Sequence, residues 1–162
     1  MFGSLKKLFG GEEKEEKIIA APVSGTAIPM GQVSDPTFSQ EILGKGTAVI
    51  PSDGRVVAPA DGLVTMVFDT KHAISMQTDN GAELIIHIGL DTVQLKGQYF
   101  EAHVAAGDKV KQGDLLLDFE IDKIKEAGYD VTTPVIICNT PQFPKMECRN
   151  GICLLYTSPS PR

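Results

Sequence analysis

Cysteine is scarce in this 162-residue chain, and all three copies come late, at Cys138, Cys148 and Cys153. They cannot staple the body of the fold, which excludes a disulfide scaffold and makes the cytosol the default compartment. Positive charge is short as well: 15 Lys and Arg face 21 Asp and Glu, for a net charge of −6. A nucleic-acid partner calls for a basic stripe, so that class is set aside. No apolar run is long enough to cross a bilayer, and no signal-peptide core with a cleavage site opens the chain. A Gly-rich P-loop cradle for phosphate is also missing. What is left, 42% hydrophobic and 22% charged residues, is the composition of one globular domain.

From Ile18 to about Ile137, short runs rich in Val, Ile and Thr alternate with turn dipeptides: Ser24-Gly25, Asp53-Gly54, Asp61-Gly62, Asn80-Gly81 and Gly107-Asp108. Such punctuation predicts an all-β fold, an antiparallel β-sandwich or barrel-like body. An internal echo, Ala21-Pro22-Val23-Ser24-Gly25 against Ala58-Pro59-Ala60-Asp61-Gly62, points to a duplicated β unit. Two short helices are expected, Phe38–Leu43 closed by Gly44 and Asp122–Ala127 closed by Gly128.

The ends read differently. Residues 1–17 combine an amphipathic stretch (Phe2, Leu5, Leu8 and Phe9 against Lys6 and Lys7) with a charged linker. Two readings stay open for residues 1–9: a frayed terminus, or a weak foot on an anionic membrane surface. Residues 141–162 lose the alternation and end Thr157-Ser158-Pro159-Ser160-Pro161-Arg162. They are expected to be an anomalous, disordered or poorly packed tail, leaving 18–140 as the domain.

Histidine is the third scarcity, and its placement is the strongest functional signal. His87 lies in the apolar run Leu84-Ile85-Ile86-His87-Ile88, followed by Gly89, which leaves the ring uncovered. Upstream, His72 sits across a hairpin whose tip carries Asn80-Gly81, a dipeptide that favours the φ > 0 that tight turns demand. With a two-residue loop, Asp79 pairs Ala82 and Ile74 falls opposite His87. His72 then becomes the diagonal neighbour of His87 on one face, roughly 7–8 Å away. A four-residue loop keeps that parity; a three-residue loop breaks it. Two imidazoles so placed can converge on one small anion or metal. His103 lies outside this constellation and reads as a surface residue.

At these residues the chain resembles the glucose-type enzyme IIA proteins of the bacterial phosphoenolpyruvate:sugar phosphotransferase system. The resemblance runs collinearly over about 17–140. It rests on Ala21–Gly25, Asp35-Pro36-Thr37-Phe38-Ser39, Gly44-Lys45-Gly46, Val57–Gly62, Thr70-Lys71-His72-Ala73-Ile74, the Gly81–Val93 run, Leu95-Lys96-Gly97 and Thr133–Ile137. It implies a β-sandwich or barrel-like body with a duplicated hybrid motif and short helical segments. It further implies a phosphocarrier, counted as a phosphotransferase component, with no metal and no cofactor. His87 would be the phosphorylated nucleophile, and His72 would stabilise the phosphoryl group. Thr70 would orient His72, the Gly89 carbonyl would hold the tautomer of His87, and Asp91 would edge the site. Phe38, Ile74, Ile86, Ile88 and Leu90 would form the docking surface. The implied partners are the carrier protein HPr as donor, a cysteine of a IIB domain as acceptor, and transporters or metabolic enzymes as regulatory targets. The implied place is the cytoplasm, with the inner membrane face as a second location.

Two rival readings come from other functional classes. A lysostaphin-like zinc metallopeptidase would use His72, His87 and Asp91 as ligands, although its His-x-His pair is missing. A lipoyl or biotinyl carrier would use Lys123 in Asp118-Phe119-Glu120-Ile121-Asp122-Lys123, and would leave both histidines idle.

Overall fold

The computed structural model describes residues 16–143, 146–149 and 152–156. The amphipathic segment 1–9 lies outside the described residues. In chain order the strands are β1 (Glu16–Ile19), β2 (Gly25–Pro29), β3 (Lys45–Pro51), β4 (Arg55–Val57), β5 (Gly62–Val67), β6 (Ala73–Thr78) and β7 (Glu83–His87). They continue with β8 (Phe100–Ala102), β9 (Lys109–Val110), β10 (Leu115–Phe119), β11 (Thr133–Ile137), β12 (Glu147–Arg149) and β13 (Ile152–Tyr156). Among the described residues two short α-helices interrupt them, α1 (Pro36–Ser39) and α2 (Ile121–Glu126), two and one residues earlier than their expected starts. Asp35 is the reason for the first shift: its carboxylate caps Thr37 N at 2.9 Å, and Pro36 supplies a preset φ at the first turn.

The body is antiparallel β throughout, as expected. A seven-stranded sheet runs β2-β3-β11-β7-β6-β5-β9, and a three-stranded sheet runs β4-β10-β8. Within the larger order β2-β3-β11 is mirrored by β5-β6-β7, and β9 extends the sheet beyond β5. The echoed segments lead into those mirrored strands. Gly25 and Gly62 open β2 and β5, and at each a Cβ would collide with a backbone carbonyl of the next strand, Ile50 O or Gln77 O. Between the sheets lies the main core, which includes Val49, Val56, Ile74, Met76, Leu84, Ile86, Ile88, Leu116 and Leu117. All five residues of β11 are buried, as befits a central strand covered on both faces.

The hairpin register differs from the two-residue-loop expectation. Ala73, not Ile74, pairs with His87, and Ile74 pairs with Ile86. The loop has three residues, Asp79-Asn80-Gly81, closed by Thr78 N donating to Ala82 O and Gly81 N donating to Thr78 O. Thr78 Oγ1 also accepts from Ala82 N at 3.0 Å, and Asn80 Nδ2 reaches Ile18 O at 3.3 Å. These bonds, one of them 62 residues distant in sequence, favour the longer loop.

The expectation of a disordered or poorly packed 141–162 tail is corrected for its described part. β13 pairs with β1 and β12 in a third sheet, and Phe143 and Cys153 are 3% and 0% exposed within the main core. A Cys148–Cys153 disulfide closes the β12–β13 hairpin and leaves Cys138 free. Pairing of β13 with β1 and burial of Phe143 and Cys153 in the main core together hold this stretch against the body.

Candidate functional site

Strand parity puts His87 on the face of the large sheet that turns away from the main core, opposite the small Ala73 and beside the half-buried Ile85. A second apolar cluster covers part of that face: Met30, Val33, Phe38, Ala48, Leu90 and Ile136. Phe38, carried by α1, sets its ring 4.9 Å from that of His87, tilted by 56°. His72 precedes β6 by one residue and follows Lys71, whose φ of 59° is left-handed. It therefore stands outside the regular alternation, and its ring meets His87 edge-on at 4.9 Å despite the broken parity. Phe68 closes the row, 5.4 Å from His72. Four rings in sequence (Phe68, His72, His87, Phe38) thus fix both imidazoles.

Hydrogen bonds decide which nitrogens are available. His87 Nδ1 lies 2.7 Å from Gly89 O. A carbonyl only accepts, so Nδ1 carries the hydrogen and Nε2 keeps its lone pair. Gly89 can present that carbonyl because its φ is 84°, and a Cβ there would sit 2.5 Å from Thr92 Cγ2 and 3.0 Å from Asp130 O. On the other ring, Thr70 Oγ1 lies 2.6 Å from His72 Nδ1. When the hydroxyl donates, Nε2 of His72 is left as an N–H donor.

Both rings are held neutral. Burial, reinforced by the repulsion the two imidazoles would feel if both were protonated, pushes the His72 pKa down to about 4. Burial also lowers His87, opposed by the Gly89 carbonyl and by the charges of Asp35 and Asp91. Asp91 is exposed, at a left-handed φ of 61° just before the 3-10 turn Thr92–Leu95. Together with Asp35 and Asp130 it lines a shallow depression beside the site.

Of the expected site residues, the fold brings together His87, His72, Thr70, Gly89, Asp91, Phe38 and Leu90. Three of the docking residues need correction. Ile74, Ile86 and Ile88 are each 0% exposed in the main core, because they sit at even positions and His87 at an odd one. Exposed apolar side chains on the flanking segments are instead Ile42 and Leu43 after α1, and Val93 after Asp91. Asp35 and Phe68 were not legible as site residues. The Asp-Pro helix start could have flagged the first; no sequence signal marks the second.

The rival readings find no geometry. Among the described residues, the side chains whose ligand atoms converge closely enough for a metal are Glu101, His103 and Asp118, not His72, His87 and Asp91. Lys123 lies inside α2 and not at the tip of a hairpin, where a swinging-arm lysine needs to be.

Residues 17–143 match the family model for the phosphoenolpyruvate-dependent sugar phosphotransferase system, EIIA 1. The chain belongs to this family. It is 47% identical over 150 residues to a glucose-specific EIIA component of Halalkalibacterium halodurans, covering 88% of this chain and 87% of that protein. It is 51% identical over 131 residues to a β-glucoside-specific EIIBCA component of Bacillus subtilis, covering 81% of this chain but 22% of that protein. The chain therefore spans about a fifth of such multidomain relatives, in which EIIA is one part beside EIIB and EIIC. The solved glucose permease IIA of Mycoplasma capricolum superposes with a TM-score of 0.76 at 30% identity, covering 89% of this chain and 97% of that one. As an EIIA protein the chain is a phosphotransferase-system component with a phosphocarrier role in sugar uptake. No helix among the described residues is long and apolar enough to cross a membrane.

Proposed function

We propose that His87 Nε2 accepts a phosphoryl group from the phosphohistidine of HPr and passes it to a cysteine thiolate of a IIB domain. The observation that carries this reading is the 2.7 Å contact of His87 Nδ1 with Gly89 O, which leaves Nε2 as a lone pair beside a second imidazole. In the first transfer the donor's N–P bond breaks as the Nε2–P bond forms, and no proton needs to leave His87. The phosphorylated ring, still protonated at Nδ1, carries imidazolium charge. Asp35 and Asp91 offset that charge, and it makes the ring a good leaving group for the next step. The cysteine sulfur then attacks phosphorus, and the neutral Nδ1–H tautomer returns.

His72 steadies the phosphoryl oxygens in this scheme by donating from Nε2 while Thr70 donates to its Nδ1. A neutral donor suits a carrier, since a fixed cation would hold the phosphate too firmly to release it. The acidic depression of Asp35, Asp91 and Asp130 suits a cationic donor surface, and Ile42, Leu43 and Val93 offer apolar area for transient docking. The exchange belongs to the cytoplasm in this reading.

Incubation with phosphoenolpyruvate and the general carrier proteins tests it. One acid-labile phosphoryl group per chain is expected in the intact mass spectrum. The His87→Gln variant should take up none, and full labelling of that variant would reject the assignment. The His72→Gln variant should still be labelled, with onward transfer to a IIB domain slowed.

A further inference from the structure

The three-stranded sheet carries a cluster that phosphotransfer does not use. On β10, Leu117 and Phe119 face the core, where Phe119 stacks on Phe100 of β8 at 6.5 Å, so Asp118 faces outward. Its direct partner on β8 is Glu101. His103, two residues on, shares the Glu101 face, and its backbone N–H donates to Leu116 O at 2.9 Å. The register thus sets two carboxylates opposite one another with an imidazole beside them. Like charges in directly opposed positions destabilise a sheet. Arg55, on the other side of Asp118, makes no ion pair with it within 4.0 Å; the partner of Asp118 is His103, with Nε2 to Oδ2 at 2.7 Å. One potential ligand atom from each of the three side chains lies within 4.8 Å of the others.

We propose that Glu101, His103 and Asp118 bind a divalent transition-metal ion of the zinc class. One imidazole nitrogen and two carboxylate oxygens form a legitimate three-ligand set for zinc, with water in the remaining position. The nitrogen donor disfavours magnesium and calcium, which take oxygen ligands. Glu101 and Asp118 sit on paired strands backed by a packed aromatic pair, and His103 directly follows β8 with its N–H held by Leu116 O, so binding needs side-chain rotation and little backbone movement. A bound ion clips β8 to β10 and replaces carboxylate repulsion by attraction.

Calorimetric titration of the full chain with zinc chloride tests this. Because a paired imidazole or a free thiol competes for zinc in any titration, the background carries His72→Gln, His87→Gln and Cys138→Ser. One zinc equivalent is expected to bind that background and to raise its Tm. Adding His103→Gln or Glu101→Gln, both surface changes, should weaken binding by about tenfold or more and remove the Tm rise. Magnesium chloride should not compete. A background that takes up no zinc, zinc binding indifferent to His103→Gln, or equal affinity for magnesium would each overturn the proposal.

Discussion

Gly89 gives its carbonyl to one ring and its missing side chain to the turn beyond it. At φ 84° an L-residue is strained, and a Cβ would press on Thr92 and on the Asp130 carbonyl that accepts from Leu90 N. Gly89→Ala is expected to cost about 2 kcal/mol or more in urea unfolding. It should also lower the phosphorylation rate, because the carbonyl that holds the His87 tautomer moves. His72 yields a pH prediction. Its folded pKa of about 4 lies below the ordinary 6.5, so between those values the unfolded chain binds a proton that the folded ring refuses. Stability is therefore unaffected above pH 6.5 and falls as the pH drops toward 4, by up to about 3 kcal/mol from this ring. Urea midpoints across that window should fall more steeply for the native chain than for His72→Gln. Equal slopes would show that the ring is not held neutral by the fold.

At the scale of elements, α1 is one turn long and depends on its cap. Asp35 both caps the helix that delivers Phe38 to His87 and contributes negative charge at the nucleophile. Substitution separates the two effects, since Asn caps as well as Asp while Ala does not. Asp35→Asn should keep stability and lower the His87 pKa, as followed by its ring resonances on titration. Asp35→Ala should do the same to the pKa and cost about 1 kcal/mol besides. The β6–β7 hairpin shows where sequence reasoning stops. Its existence and its tip were legible from Asn80-Gly81 and the apolar runs, but the two histidines meet through the left-handed Lys71 before His72 and not through the strand parity the sequence suggested. The hairpin register was not legible, because the third loop residue is stabilised by Asn80 reaching Ile18 and by Asn139 bonding both Gly81 O and Glu83 N. Long-range bonds of this kind leave no local trace. The same slip of one residue explains why Ile74 left the His87 face, whereas Ile86 and Ile88 were excluded by simple alternation.

For the whole molecule, the duplicated β order was legible because the echoed glycines are required wherever a strand starts hard against its neighbour. The packing of the late cysteines was not, since nothing local announces that β1 would seek β13 across the chain. The site rests on β6, β7 and the turns beside them, in a different sheet from β12 and β13. Damage to the hairpin, or to Phe143 just before it, should therefore cost stability without touching the chemistry. The disulfide closes a sequence separation of 5, a loop short enough that its removal costs about 2 kcal/mol. Phe143 is a buried aromatic, and Phe143→Ala should cost about 3–5 kcal/mol. In the Cys148→Ser, Cys153→Ser double variant and in Phe143→Ala, the urea midpoint should drop in that order. The rate of His87 phosphorylation at a temperature where each remains folded should stay at the native value. A folded Phe143→Ala protein with a slowed transfer would mean that the late segment supports the histidine pair through the core, by way of the Gly81 turn against which Phe143 lies 3.9 Å from the position of a Cβ.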